Sequence, residues 1–250
     1  MRLPATTIIE VLARLDEIID TARTNNDPLG YFSYVYRRTT AAVKAAIDAG
    51  RFADNPRMET FDVAFANLYL EAYEQFHCGD PCSASWELAF RAAKDRKAML
   101  QHVLLGMNAH INLDLGVAAG RLMIGEELDE LEADFCLVND ILQEITEELQ
   151  ERVARVSPLF RLVDRLGKQR DEHLLDFSMR AAREQAWVLA HQVWLAGDQQ
   201  AEVVQRVDAN VARLATRINA PGTRVTRWLW GALARTEGQD VGRNIDRLRL

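Results

Sequence analysis

The segment Gln101–Gly116, QHVLLGMNAHINLDLG, sets His102, Asn108, His110, Asn112 and Asp114 among Leu, Ile, Val and Met residues. Imidazole and carboxylate groups are the usual carriers of proton transfer and metal ligation near neutral pH. On a helix, positions four apart drift by only roughly 40° around the axis. His102, Gly106, His110 and Asp114 therefore form one slanting stripe, and Asn108 and Asn112 form a second. Leu100, Leu104, Met107, Ile111 and Leu115 fill the side between them. Burying such polar groups is costly unless they are paired, so each is expected to meet a hydrogen-bond partner, a water or a metal.

His110 and Asp114, at i and i+4, suit two ligands of one divalent cation, or a carboxylate that orients an imidazole. His102 lies about 12 Å away along the axis and joins the same cation only if the side chains converge. Gly106 between them leaves room for a ligand or another helix. The competing reading is structural: Asn, His and Asp on a buried helix can tie neighbouring helices together and fix their register.

Partners for this stripe have to come from elsewhere. Glu71, Glu74 and His77 include one Glu-x-x-His of the kind that di-iron bundles show twice. Asp171, Glu172, His173, Asp176, Arg183, Glu184, Trp187 and His191 form another group, in which Arg183, Trp187 and His191 recur at i+4 and share a face. A buried Arg183 needs an acidic partner or a bound anion. Asn139, Gln143 and Glu147 have the spacing of a magnesium-binding Asn/Ser/Glu motif, but Gln replaces the hydroxyl residue and no DDxxD precedes it. Asp134 and Asp140 are expected to face solvent. No GxSxG, GxGxxG or GxxxxGK[ST] occurs.

The elements that must position these groups all read as helices. Thr6 or Thr7 can cap a helix running to Asn25-Asn26, and a second follows from about 28 to 49 with Tyr31, Phe32, Tyr34 and Tyr36 at its start. A third runs from about 58 to 76, ended by HCGDPC, and Ser83 or Ser85 caps a fourth. The segments at about 97–122 and 171–196 are apolar almost all round and are expected to be central. Between them lie a long amphipathic helix at about 127–156 and a short one from Ser157-Pro158 to Leu166. A helix to about Ile218, a Trp-rich helix around Trp228 and Trp230, and a frayed tail at 238–250 complete a single all-α domain. No segment alternates with period two, so no sheet is expected.

With 250 residues, 48% of them hydrophobic and 27% charged, the chain can bury a full core. No run reaches the ~20 apolar residues of a spanning helix. The N-terminus becomes charged before an export signal's apolar segment could form, so a cytoplasmic protein is expected. The net charge of −7 argues against a nucleic-acid surface. Late arginines (Arg213, Arg217, Arg224, Arg227, Arg243, Arg247 and Arg249) are expected to pair with the acidic stretch Glu126–Glu151. Cys78, Cys82 and Cys136 match neither a disulfide framework nor a zinc knuckle and read as ordinary thiols.

HVLLGMNAHINLDLG, together with DFCLVNDIL and RAAREQAW, resembles a family of bacterial all-helical proteins known only as a domain of unknown function, over about residues 55–200. The resemblance implies that Asn108, His110, Asn112, Asp114, Asn139, Arg183 and Trp187 are positions to watch. It carries no activity.

The residues thus lead to a helical, metal-dependent, hydrolase-like enzyme acting on a small molecule in a pocket between the 101–116 and 171–196 helices. His110, Asp114 and His102 would be ligands of a divalent metal or acid–base groups. His191 would be a further base, and Arg183 the anchor for an anionic substrate group. A rival is a binding protein for an apolar small molecule, with Tyr31, Phe32, Tyr34, Tyr36, Trp86 and Trp187 lining the cavity. A second rival is a helical scaffold whose polar cluster is structural.

Overall fold

Helix α1 (Ile8–Asn25) starts at Thr7, whose side chain accepts from the Glu10 backbone N–H, and stops where Asn26 turns left-handed at φ 56°. The same signals delimit α3 (Asn55–Cys78), capped by Asp54 and ended by left-handed Gly79; Ser83 caps α4 (Ala84–Arg91), and α2 (Leu29–Asp48) starts after Pro28 and runs out just before Gly50 at φ 67°. In this computed structural model the described residues are 2–157, 179–220 and 222–250, without the side chains of residues 146, 147, 179 and 180. The expected short helix from Ser157-Pro158 to Leu166 lies outside them, as do Asp171, Glu172, His173 and Asp176.

The centre is one rod built of α5 (Met99–Ala109), a π-helical turn (His110–Asp114) and α6 (Leu115–Leu122). Around it lie α7 (Glu132–Val156), α8 (Met179–Leu195), α9 (Gln200–Asn219), α10 (Arg224–Glu237) and α11 (Val241–Arg249). The rod packs on α2, α3, α4, α8 and α9, and from Gln101 to Gly120 only Leu104, Met107 and Asn112 are less than fully buried. Helix α1 pairs with α2, and α11 closes over α1 and α7. The multi-helix all-α fold expected from periodicity is the fold found: no strand occurs among the described residues. Among them, too, no helix is long and apolar enough to cross a membrane.

Three expectations are corrected. Helix α8 is not apolar all round: Ala182, Ala186, Leu189, Ala190 and Val193 are buried, whereas Val188 and Leu195 are 50% and 73% exposed. The tail is not frayed, because α11 buries Val241, Ile245 and Leu248, and Asp240 caps it through the Arg243 N–H. Asp134 does not face solvent: it is buried and accepts the backbone N–H groups of Ala53 and Asp54 at 2.7 and 3.0 Å, tying α7 to the start of α3.

At the interface between α6 and α8 the two backbones approach closely. A methyl group at Gly116 would lie 2.5 Å from the Ala186 carbonyl oxygen, and one at Gly120 would lie 2.6 Å from that of Ala190. Backbone atoms cannot move aside as a flexible side chain can, so these glycines permit the helix pair to form at this distance.

Candidate functional site

A cavity of about 280 Å³ is bounded by α2, α3, the central rod and α7, and among the described residues α8 contributes Arg183 alone. The pocket was expected between the 101–116 and 171–196 helices; this cavity meets the first through Met107, His110 and Ile111 and the second through Arg183, most of its remaining wall comes from α2, α3 and α7, and residues 171–178 lie outside the described ones. Its wall is mostly hydrocarbon and aromatic, with Phe32, Val43, Phe61, Phe65, Val103 and Ile111 among the lining residues. Exposed Gln150 and half-buried Thr39 and Leu149 lie on its rim, where α2 meets α7.

His110 stands in this wall, held from both sides. Its ring stacks on Phe65 with centroids 3.7 Å apart and planes 10° apart, and Tyr36 meets it edge-on at 4.3 Å. Nδ1 lies 3.0 Å from Asp114 Oδ2, and the same oxygen accepts the Trp86 indole N–H at 2.9 Å. The π-helical turn closes with the Leu115 N–H bonded to the His110 carbonyl, five residues back, so the His110–Asp114 pair spans a local widening of the rod. Such turns are rare and collect at functional sites. Gly106 admits Phe32 here: a Cβ at that position would sit 2.3 Å from the ring.

Burial holds the His110 pKa well below that of an ordinary imidazole. It pushes the Asp114 carboxyl well above the usual range, against the opposing effect of the Trp86 N–H. Both shifts favour the uncharged forms over an ion pair. Once Asp114 ionises, its carboxylate accepts from Trp86 and from His110 Nδ1–H, and Nε2 is a free base; this tautomer is assigned from the bonding pattern. Nε2 is buried and has no hydrogen-bond partner among the described residues.

Four more atoms on residues of the same cavity share that property: Tyr36 Oη, Thr40 Oγ1, Asp62 Oδ2 and Arg183 Nε. Burial, with Glu59 adding to it, raises the Asp62 pKa to about 7. The Tyr36 phenol is pushed well above its ordinary value by burial and by the charges of Asp62 and Asp114; the neighbouring Thr40 hydroxyl acts the other way, without reaching hydrogen-bond geometry. Tyr36 thus sits within the field of both carboxylates. Natural cores leave only a few polar groups unpaired, and five on one apolar cavity mark a place built for something else.

Of the residues singled out by type and spacing, the structure brings His110, Asp114 and Arg183 to or beside this cavity. His102 stays away: it is buried against Tyr31, its pKa lowered to about 4 by burial, and it does not line the cavity. His191 is half-buried on the outer side of α8, edge-on to Trp187 and 4.0 Å from Asp129. Trp187, Asn139 and Gln143 line a separate outer groove that Arg183 also borders; the side chain of Glu147 lies outside the described residues. Asn108 donates to the Val211 carbonyl at 3.0 Å and accepts from Asn112 at 3.1 Å, which ties α5 to α9. Glu71 and His77 are exposed at the end of α3, where His77 meets the Tyr73 carbonyl and Glu74 accepts the Arg2 N–H. Among the described residues, no group of three or more His, Cys, Asp and Glu side chains is placed to hold a metal ion.

The aromatic set divides in two. Phe32 and Tyr36 line the cavity, whereas Tyr31 and Tyr34 spend their hydroxyls on Asn244 and the Leu248 carbonyl beneath α11. Trp86 serves Asp114 instead of the cavity wall. Asp62, Tyr36 and Thr40 were missed as polar members of the site. The signal for Asp62 was present: Met58, Phe61, Asp62, Phe65, Ala66 and Tyr69 follow helical spacing, so an acid occupies one slot of an apolar stripe. The acidic stretch Glu126–Glu151 also pairs differently from expectation. Glu130, Glu144 and Glu148 meet Arg57, Arg51 and Arg38, while Arg213, Arg217, Arg224 and Arg227 are exposed with no ion pair among the described residues.

Residues 8–221 match the model of a family described as a family of unknown function (DUF5995), beyond the 55–200 region from which a resemblance was read. No curated protein and no solved structure matches the chain.

Proposed function

We propose, for a chain that belongs to the DUF5995 family of unknown function, that it binds a small, mostly apolar molecule in the α2–α3–α7 cavity and catalyses proton transfer there. The observation that carries this reading is the convergence of five buried, partnerless polar atoms on one apolar cavity. A volume of about 280 Å³ is near the lower end of ordinary ligand pockets, about 300–1,000 Å³.

His110 is the base. Asp114, itself held by Trp86, fixes the ring and stabilises the imidazolium that forms when Nε2 takes a proton. Asp62, poised near neutrality, supplies or receives the second proton. Hydrolysis is the case in which the proton comes from water: Nε2 takes it as the oxygen attacks a carbonyl, and the leaving group departs with the bond electrons. A metal-dependent form was expected from the residue types, but of its three ligands only His110 and Asp114 meet, so the chemistry is assigned to the side chains. Three free cysteines support a reducing, cytoplasmic setting.

The test is turnover of a small apolar ester, p-nitrophenyl butyrate, by wild type and His110→Gln. The expected loss is about 10²-fold or more, the usual contribution of a general base. Equal rates would overturn the catalytic reading. The nearly all-apolar lining favours one alternative, a carrier for an apolar molecule; equal rates combined with an organic ligand co-purifying in native mass spectrometry establish it.

A further inference from the structure

Arg183 is 5% exposed. One guanidinium nitrogen donates to the Phe135 carbonyl at 2.7 Å, the guanidinium carbon lies 4.8 Å from the Phe135 ring centroid, and Nε has no hydrogen-bond partner among the described residues. Among the described residues no carboxylate forms an ion pair with it. Burial lowers its pKa to about 10, with Cys136 acting in the opposite sense, so it remains a cation at neutral pH. A buried cation that meets, among the described residues, a carbonyl and a ring but no carboxylate is a poor structural element, because none of them balances its charge. It is a good anion receptor, because a guanidinium fork matches a carboxylate. Its position suits that use, since it borders both the inner cavity and the outer groove.

We infer that the molecule occupying the cavity is an apolar monocarboxylate, its carboxylate held by Arg183 and its carbon body lying in the α2–α3–α7 cavity. The inference rests on the reading of that cavity as the ligand site. A carboxylate fits better than a phosphate monoester. One guanidinium balances one negative charge, and a phosphate carries roughly 1.5–2 into a cavity that Asp62 already lines. The body must be hydrocarbon, because apart from the five partnerless polar atoms the wall offers mainly rings and aliphatic groups.

The experiment measures binding of octanoate, octanol and octylamine to the full chain by calorimetry and thermal shift, for wild type, Arg183→Gln and Arg183→Lys. Wild type is expected to bind octanoate at least about tenfold more tightly than octanol, the gain a charge-assisted hydrogen bond gives, and octylamine most weakly. Arg183→Gln should lose the preference while keeping its affinity for octanol, and Arg183→Lys should keep a reduced preference. Equal wild-type affinities for octanoate and octanol, or a preference surviving in Arg183→Gln, overturn the carboxylate assignment and leave the pocket reading standing. Failure of all three probes to bind overturns both. The wild-type comparison decides the matter even if a variant does not fold.

Discussion

The two sides of the central rod carry similar residue types and treat them in opposite ways. Toward α8 and α9, Asn112 donates to Asn108 and Asn108 donates to the Val211 carbonyl; farther along, Gly116 and Gly120 let the α8 backbone approach to contact distance. Toward α2, α3 and α7, His110, Asp62, Tyr36, Thr40 and Arg183 each keep a buried polar atom with no hydrogen-bond partner among the described residues, beside open space. A polar group in a core is therefore no indicator of function by itself. What distinguishes the two sides is whether its hydrogen-bonding capacity is used up. The paired side holds the fold together, and the unpaired side gives up stability to keep groups available.

The sharpest test of that division is to disturb the closed side. Gly116→Val forces a branched side chain against the Ala186 carbonyl, and overpacking against immovable backbone costs about 3 kcal/mol or more. The variant is expected to melt far below wild type. A melting temperature within a few degrees of wild type would show that the α6–α8 seam is looser than these distances imply.

On the open side the expected sign reverses. Asp62 has its carboxyl pKa raised to about 7, so between the unfolded value near 4 and about 7 the native state holds the extra proton. Stability from this group is present at low pH and is lost as pH rises through that window. Asp62→Asn removes the penalty and should raise unfolding free energy at pH 8 by on the order of 3 kcal/mol, while lowering turnover. His102 and His110, held neutral by burial, act in the opposite direction, their stability being lost as pH falls below about 6.5. Asp114 and Glu237, whose carboxyl pKa values burial also raises, act in the Asp62 sense in both proteins, so the comparison isolates Asp62: the gain of Asp62→Asn over wild type should grow from pH 4 to pH 8 in denaturant titrations. Parallel profiles for the two proteins would contradict the assignment.

A smaller contrast compares two residues two positions apart. Asn108→Ala leaves the Val211 carbonyl and the Asn112 amide without their partner, at a cost of about 1–3 kcal/mol. His110→Gln keeps a donor for Asp114 and should cost less than half of that, while abolishing turnover. A larger loss for His110→Gln than for Asn108→Ala would make the cavity side structural.

The sequence made one side easier to read than the other. Caps at Thr7 and Ser83 and the burial of Gln101–Gly116 followed from local chemistry and periodicity, and the role of Asn108 in tying helices followed from its stripe. The cavity did not. Its location depends on which helix pair can close, and that is decided by two glycines meeting two alanine carbonyls across a sequence gap of about 70 residues, a contact with no local signature. The π-helical turn was also invisible, because a shift from four- to five-residue bonding leaves the hydrophobic pattern almost unchanged. His102 was drawn into the site only because it shares a stripe with His110. Burial against Tyr31, two turns away, separates them.

The subtlest prediction concerns Trp86, which touches neither cavity nor substrate and acts only through Asp114. Its N–H favours the carboxylate form of Asp114 against the burial that raises the carboxyl pKa. The base form of His110 requires that carboxylate, so turnover should rise with pH through the Asp114 ionisation. Trp86→Phe removes the donor and keeps most of the ring packing against Phe32 and Phe90. The rising limb of the pH–rate profile should then move to higher pH, with the plateau rate little changed. A variant that lowers the plateau and leaves the limb in place would show that Trp86 matters for packing alone, and that the His110–Asp114 pair is not the group whose proton sets the rate.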